Sequence, residues 1–467
     1  MRLRSSYAFA VLLCTTVACS GAPDGAPSPA GASQPTPIEP AASAPVRPHL
    51  TRTIPREGAT WVTIQTLPGA LCSFDVADNP EPGKALELYA DDEGLIRFRS
   101  RATDRRATSA AMRLDCTAES GARASYDVDL VVDDDAAPAP TPPVHPSRVR
   151  PALTGDPLSF TREELVARDF PPRPDPAREP QRYAEWLQYA SRPVNVIDAK
   201  VVPSKRVHGP ATPAAHANAG SQATPAVIYN DPSRETTWSG YAIHPDVAFD
   251  YIYGSWPVPY TTNEGGFWST TYSAFWVGLG GWPVVPGSIV QAGTEQDTDS
   301  RFWIESSSNY AWYEWFQATQ QSIANFPIQP DDQVTTWVWT TDANGYFAPN
   351  GNYAHFMIYD ATSGNLAIVP PYERPANAYY STSVSAEWII ERPFYGSTTP
   401  DLTNYGSTVM TDAWAEDTSN TLHDYWTDGD ANSDQIFMVS TSNFYKTISE
   451  AYGWGRGTIY FFWDDYN

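Results

Sequence analysis

Residues 272–279 read Tyr-Ser-Ala-Phe-Trp-Val-Gly-Leu, and residues 311–316 read Ala-Trp-Tyr-Glu-Trp-Phe. Both are short aromatic and aliphatic runs bounded by turn-forming residues, the pattern of strands buried on both faces. Working outward, the same pattern recurs in Phe249–Gly254, Ser288–Gly293, Val334–Trp339, His355–Tyr359, Ala386–Glu391 and Thr458–Trp463. Roughly ten such strands, broken by Gly, Pro and Asn, predict an all-β domain over 217–467, built as a sizeable two-sheet antiparallel β-sandwich.

Period-2 alternation sorts the polar residues in these strands. Trp312, Glu314 and Phe316 share one face, with Ala311, Tyr313 and Trp315 on the other. Glu387, Ile389 and Glu391 share a face opposite Trp388 and Ile390, and Gln291 lies among Ile289, Val290 and Gly293. Burial among apolar neighbours raises a glutamate pKa and suits proton transfer in acid; ion pairing or exposure at the rim would explain the same spacing. The sequence lacks a Gly-x-Ser-x-Gly elbow, a His-Glu-x-x-His pair, a phosphate loop and a dinucleotide fingerprint. His244, His355 and His423 stand in unrelated contexts and read as structural. No cysteine follows Cys116, which excludes thiol catalysis and thiolate metal sites in the β domain.

The chain of 467 residues has a formal net charge of −24, nearly all of it from residue 230 onward, where 6 basic residues face 28 acidic ones. Such a surface opposes nucleic-acid binding, which needs a basic face. With so few cations, protonating the carboxylates builds little positive charge, so acid tolerance is permitted. A merely soluble or halophilic surface would look the same.

The amino-terminal portion reads as a series of attachments. Arg2 and Arg4 precede the apolar run from Tyr7 to Val17, so residues 1–19 are expected to be a signal peptide and the protein to be exported. Cys19, after Ala18, is a candidate for acylation and a lipid anchor, although Thr16 fits that site poorly. Residues 20–48 are a low-complexity tether. Residues 49–133 alternate as a small antiparallel sandwich, in which Cys72 and Cys116 are expected to form a disulfide. Residues 134–216 form a Pro-rich linker and a helical, pro-like segment. Thr161 and Glu164 there spell a capping box, and Pro180–Ala190 carries Tyr183, Trp186 and Leu187 on one face. Eleven cations between Arg148 and Arg206 precede the acidic domain, so electrostatic docking and a solvated linker are both open. No later segment is long and apolar enough for a transmembrane helix.

Four spaced motifs of the β domain carry a resemblance. They are Trp276-Val-Gly-Leu-Gly-Gly281, Ile289-Val-Gln-Ala-Gly293, Ala311-Trp-Tyr-Glu-Trp-Phe316 and Ala386-Glu-Trp-Ile-Ile-Glu391, supported by Trp238-Ser-Gly-Tyr241 and Gly254-Ser-Trp-Pro-Val-Pro259. Together they resemble the glutamic peptidase (eqolisin) family, in its bacterial secreted form, over most of 230–410. Residues 156–210 also resemble the pre-catalytic segment of bacterial members. The resemblance implies a jelly-roll or concanavalin-like sandwich and a Gln–Glu dyad. Glu387 would be the general base and then acid, and Gln291 the amide that stabilises the oxyanion. Trp276, Trp312 and Glu314 fall at positions that line the family's substrate cleft. Gly280 stands where the family often has Asp, while Glu295 keeps an acidic residue near the cleft. The implied partners are protein or peptide substrates, with a monomeric enzyme and neither metal nor organic cofactor.

Two other classes remain open on sequence. One is a carbohydrate-active sandwich, either a lectin or a glycoside hydrolase using Glu314 and Glu387. Glu387 and Glu391, four strand residues and roughly 13 Å apart, cannot be a retaining pair. The other is an inactive binding protein. A final expectation is that the basic segment 148–206 inhibits the acidic domain and leaves it on acidification.

Overall fold

The computed structural model describes residues 47–76, 85–139, 149–150, 159–166, 173–177, 180–191, 194–204, 206–208, 232–282, 289–376, 378–395 and 399–466. All of them belong to the second of two compact units, 47–467; the first is 1–46. The expected signal peptide, Cys19 and nearly all of the tether therefore lie outside the described residues.

The first seven strands, from His49–Pro55 to Arg123–Asp133, build the small domain. One sheet runs His49–Pro55, Arg123–Asp133, Ser109–Thr117, Leu71–Val76, Leu86–Tyr89, and it packs on the antiparallel pair Ala59–Gln65/Leu95–Ala102. Ile54, Ile64, Phe74, Leu88, Phe98 and Leu114 fill the space between. Cys72 and Cys116 face each other on neighbouring strands and are joined by the disulfide. The sheet is not purely antiparallel, because His49–Pro55 lies parallel to Arg123–Asp133. No hairpin links those two strands, so nothing local dictates their relative direction.

The helical pro-segment follows. Thr161 Oγ1 accepts from the Glu164 amide at 3.1 Å while Glu164 accepts from the Thr161 amide at 2.8 Å, which starts the helix Arg162–Val166. The amphipathic helix Pro180–Ser191 buries Trp186 and Ala190 together with Leu165. Their partners, Tyr251, Tyr253, Trp337, Trp339 and Met357, belong to the second sheet of the large sandwich. Arg162 reaches Glu416 and Asp250.

The large domain is the two-sheet antiparallel sandwich read from the sequence. One sheet runs Ser433–Val439, Trp238–Ile243, Ala386–Glu391, Trp268–Leu279, Val290–Arg301, Ile304–Trp315, Gln321–Pro327. The other runs Ser407–Asp417, Phe249–Pro257, Gln333–Thr341, Tyr353–Asp360, Asn365–Ile368. Between them lie Ile252, Trp256, Val277, Leu279, Trp315, Val338, Phe356 and Trp388, all fully buried. At about 25 cal/mol per Å² of apolar surface, such a core dominates the domain's stability.

Two strands are longer than their apolar runs. The strand read as ending at Gly293 continues to Arg301, and Ala311–Phe316 is only the end of Ile304–Trp315. The extensions are polar yet buried: the small domain pairs along Ile304–Ser307, while Thr294 and Thr298 bond to Trp256 and Thr261 of the large domain itself. Leu95–Ala102 pairs with Ile304–Ser307, opposing Ser100 to Ser306 and Arg101 to Glu305. The Ser100 and Ser306 hydroxyls lie 2.8 Å apart, and Arg101 pairs with Glu305 at 2.8 Å.

Candidate active site

In the first sheet Gly278 opposes Gln291 on one side and Glu387 on the other, while Gln291 opposes Glu314. Directly opposed residues share a face, so Glu387, Gly278, Gln291 and Glu314 form one cross-strand row, on the face turned away from the main core. The next rows on that face are Ile389–Trp276–Gly293–Trp312 and Glu391–Ala274–Glu295–Tyr310. Gln291, Glu387 and Glu314 are all fully buried.

Gly278 supplies the gap between the two central side chains. Backbones of Gln291 and Glu387 are two strand spacings apart, about 10 Å. A Cβ at Gly278 would come within 3.0 Å of both Ile289 Cδ1 and the Trp276 ring. Glu314 and Glu387 are three spacings apart, about 14 Å between backbones. Across the gap Glu387 thus faces an amide and not a second carboxylate, which disfavours the paired-carboxylate reading.

This face is occupied by the chain itself. Val201–Pro203 pairs with Gln321–Ile323 beyond one side of the row, and Arg206–Val207 pairs with Phe394–Tyr395 beyond the other. Directly after the second anchor His208 lies on the row, so that this part of the chain covers it as a strap. The Gln291 amide donates to the His208 carbonyl at 2.9 Å, and the His208 amide donates to Glu314 at 3.0 Å. The His208 ring stacks on Trp312 at 3.7 Å between centroids, with Nδ1 3.1 Å from Glu391 and Nε2 3.4 Å from Glu295. The Arg206 guanidinium lies on Asp297 at 2.8 Å and Glu295 at 3.2 Å, 3.7 Å from the centre of the Tyr272 ring. Trp276 donates its indole proton to Glu391 at 2.8 Å. Arg206 and His208 are both fully buried.

Electrostatics follow from that occupancy. Burial alone would lower the His208 pKa, but Glu391 and Glu295 outweigh it and hold the ring protonated, with a pKa of about 10. Burial likewise opposes ionisation of Glu295, yet Arg206 and His208 keep it below the usual carboxylate range. Asp297, desolvated and beside the Glu295 charge, is pushed well up. Burial raises Glu387 and Glu314 far above their ordinary value of 4.5. Ser385 and the Trp282 amide pull Glu387 weakly the other way. Gln291 Oε1 has no hydrogen-bond partner among the described residues, and the Glu387 carboxylate is approached there only by Ser385 and the Trp282 amide. These are the atoms left for a reacting molecule.

All of the sequence-selected cleft residues, Gln291, Glu387, Trp276, Trp312 and Glu314, therefore lie on one face within two rows. Gly280, where an acidic residue was expected, has φ 85° and donates its amide to the Ser385 carbonyl. His244, His355 and His423 sit on Asp434, Thr341 and the pair Asp417/Asp428 respectively. The histidine at the site, His208, was missed because it precedes the β domain. Arg206 was counted only as part of a basic segment. Asp297 lay in a polar stretch that showed no alternation. Among the described residues, no group of three or more His, Cys, Asp or Glu is arranged to hold a metal ion, and no helix is long and apolar enough to cross a membrane.

A buried Gln–Glu pair on one face of an antiparallel sandwich defines a class, and comparison with known proteins gives the family it resembles. Residues 236–454, just under half of the chain, match the Peptidase A4 family, so this part of the chain is similar to the glutamic peptidases (eqolisins). Scytalido-glutamic peptidase, solved with a transition state analog inhibitor, aligns at 16% identity over 49% of this chain and 99% of that chain, with a TM-score of 0.39. SCP-B, an eqolisin solved with the tripeptide Ala-Ile-His, aligns at the same identity and coverage with a TM-score of 0.37. No curated protein matches the chain.

Proposed function

We propose that the protein is an exported, acid-acting endopeptidase that works through Gln291 and Glu387 and is made with its cleft covered by its own pro-segment. The observation that carries this reading is the hydrogen bond from the Gln291 amide to the His208 carbonyl, in the same row as Glu387. A substrate carbonyl held there would be polarised by an amide that does not titrate, so the contact persists in acid. As the carbonyl carbon becomes tetrahedral, the same N–H stabilises the oxyanion. Glu387, once ionised, takes a proton from the attacking water and returns it to the leaving nitrogen.

The strap blocks this chemistry twice. It fills the carbonyl position, and by excluding water it keeps Glu387 protonated and unable to act as a base. Uncovering the cleft rehydrates Glu387 and lowers its pKa.

The test is hydrolysis of a denatured protein by the full chain at about pH 3–5, beside Glu387→Gln. Cleavage lost in the variant, with an unchanged circular-dichroism spectrum, supports the reading. Equal cleavage by both proteins, or none by either at any pH, refutes it.

A further inference from the structure

We infer that the small domain forms part of the substrate cleft, with Glu87 selecting the fifth residue before the cut. This rests on the peptidase reading and extends it to a domain that lies outside the 236–454 match. The strap is a peptide seated in the cleft, so its side chains mark where a substrate's would lie. With the His208 carbonyl on Gln291, the residue four positions earlier is Ser204. Its hydroxyl donates to Glu87 Oε2 at 2.8 Å, and the Tyr89 hydroxyl holds the same oxygen at 2.8 Å.

Glu87 and Tyr89 belong to Leu86–Tyr89 of the small domain and are buried against the cleft face of the peptidase sheet. The Tyr89 ring meets Tyr310 edge-on at 4.7 Å. Tyr310 stands on the Glu314–Trp312 face, with its hydroxyl toward Asp297 at 3.4 Å. On the other side the Tyr272 hydroxyl donates to the Ala85 carbonyl at 3.2 Å. Tyr89 and Val202 share one apolar cluster with Trp276 and Trp312. The pairing of Leu95–Ala102 with Ile304–Ser307 fixes the small domain in this position. The cleft floor is therefore made by both domains, and its far end presents a carboxylate acceptor. A hydroxyl or amino group at that substrate position adds a donor to Glu87, whereas an alkyl side chain leaves it with the Tyr89 hydroxyl alone.

The experiment uses the full chain and quenched fluorogenic peptides with the sequence of residues 201–208 followed by a short tail, carrying Ser or Ala at the position of Ser204. Hydrogen bonds to charged groups translate into a preference in kcat/KM of about tenfold or more for Ser. Glu87→Met removes the acceptor at similar volume and should bring that ratio to about one. A second variant leaves the small domain intact: Ser204→Ala weakens the strap's own hold and should raise the cleavage rate of an unrelated peptide several-fold at the pH where the strap is half released. Cleavage without a Ser preference, a preference that survives Glu87→Met, or no effect of Ser204→Ala overturns the inference. If no peptide is cleaved faster than by Glu387→Gln, the peptidase reading itself fails and this inference with it.

Discussion

The side-chain amide of Gln291 donates to the backbone carbonyl of His208 from a distance of 2.9 Å. A single hydrogen bond thus links the proposed oxyanion donor to the segment that covers it. Removing the amide should show chiefly in turnover. Gln291→Ala should lower kcat on a peptide substrate by about 10²–10³-fold, the usual loss for one oxyanion donor, with a smaller change in KM. Steady-state kinetics after acid activation reads this directly. A fall of less than fivefold would remove Gln291 from the mechanism.

Arg206 is fully buried between two acidic side chains and an aromatic ring. Breaking a buried pair by removing one partner is strongly unfavourable, about 3–5 kcal/mol, because charge is left uncompensated. Arg206→Ala should therefore expel the strap and expose the cleft at neutral pH. Hydrogen exchange of residues 201–208 and 310–316 should rise in the variant and leave Trp337–Trp339, in the opposite sheet, unchanged.

The pH dependence of strap seating has a defined window. Glu295, held below its ordinary value by Arg206 and His208, contributes above 4.5 and ceases to as pH falls. His208, raised to about 10, contributes fully below 6.5 and is lost as pH rises through 10. Glu314, Glu387 and Asp297, all raised by burial, add to the loss on the alkaline side. Arg206 stays charged, Trp276 fixes Glu391, and the Tyr272 phenol, raised by burial, stays neutral. Seating is thus strongest near 4.5: the three raised carboxylates weaken it progressively above that value, and Glu295 weakens it in stronger acid. Activity should appear as the pH drops below 4.5, and Glu295→Gln should move that onset upward, measured as the lag before peptide cleavage.

The disulfide joins opposed strands 44 residues apart in sequence. Closing a loop of that size stabilises a fold by about 3–4 kcal/mol in the chain-entropy account. Replacing both Cys72 and Cys116 with Ala should lower the melting temperature of the full chain by several degrees, read by calorimetry.

The sandwich was legible because its strands declare themselves through aromatic runs such as Tyr272–Leu279, which need no tertiary context to be recognised. Gln291 and Glu387 stood out as polar residues inside such runs, as Glu314 and Glu391 did, and the resemblance of the surrounding motifs singled them out. What escaped was whatever depends on another part of the chain. Thr294–Asp299 is a plain polar stretch until Trp256, Thr261 and Arg206 are brought against it. Arg206 and His208 look like linker until an acidic floor lies beneath them. Residues of opposite charge, distant in sequence, carry no local periodicity that would announce their pairing. The parallel placement of His49–Pro55 escaped for a related reason, since strand direction without a hairpin is decided by the whole domain.

Ile304–Trp315 serves two masters along its length. Its first four residues are bonded to the small domain, and its last four include Trp312 and Glu314. A single nick between His208 and Pro232 would therefore not yield two free products. The severed front part would still hold its partner through strands Leu95–Ala102, Val194–Asp198, Val201–Pro203 and Arg206–Val207. The nicked molecule would sediment as one particle and migrate as two bands only after denaturation, so scission alone is a poor clock for the moment the enzyme becomes competent.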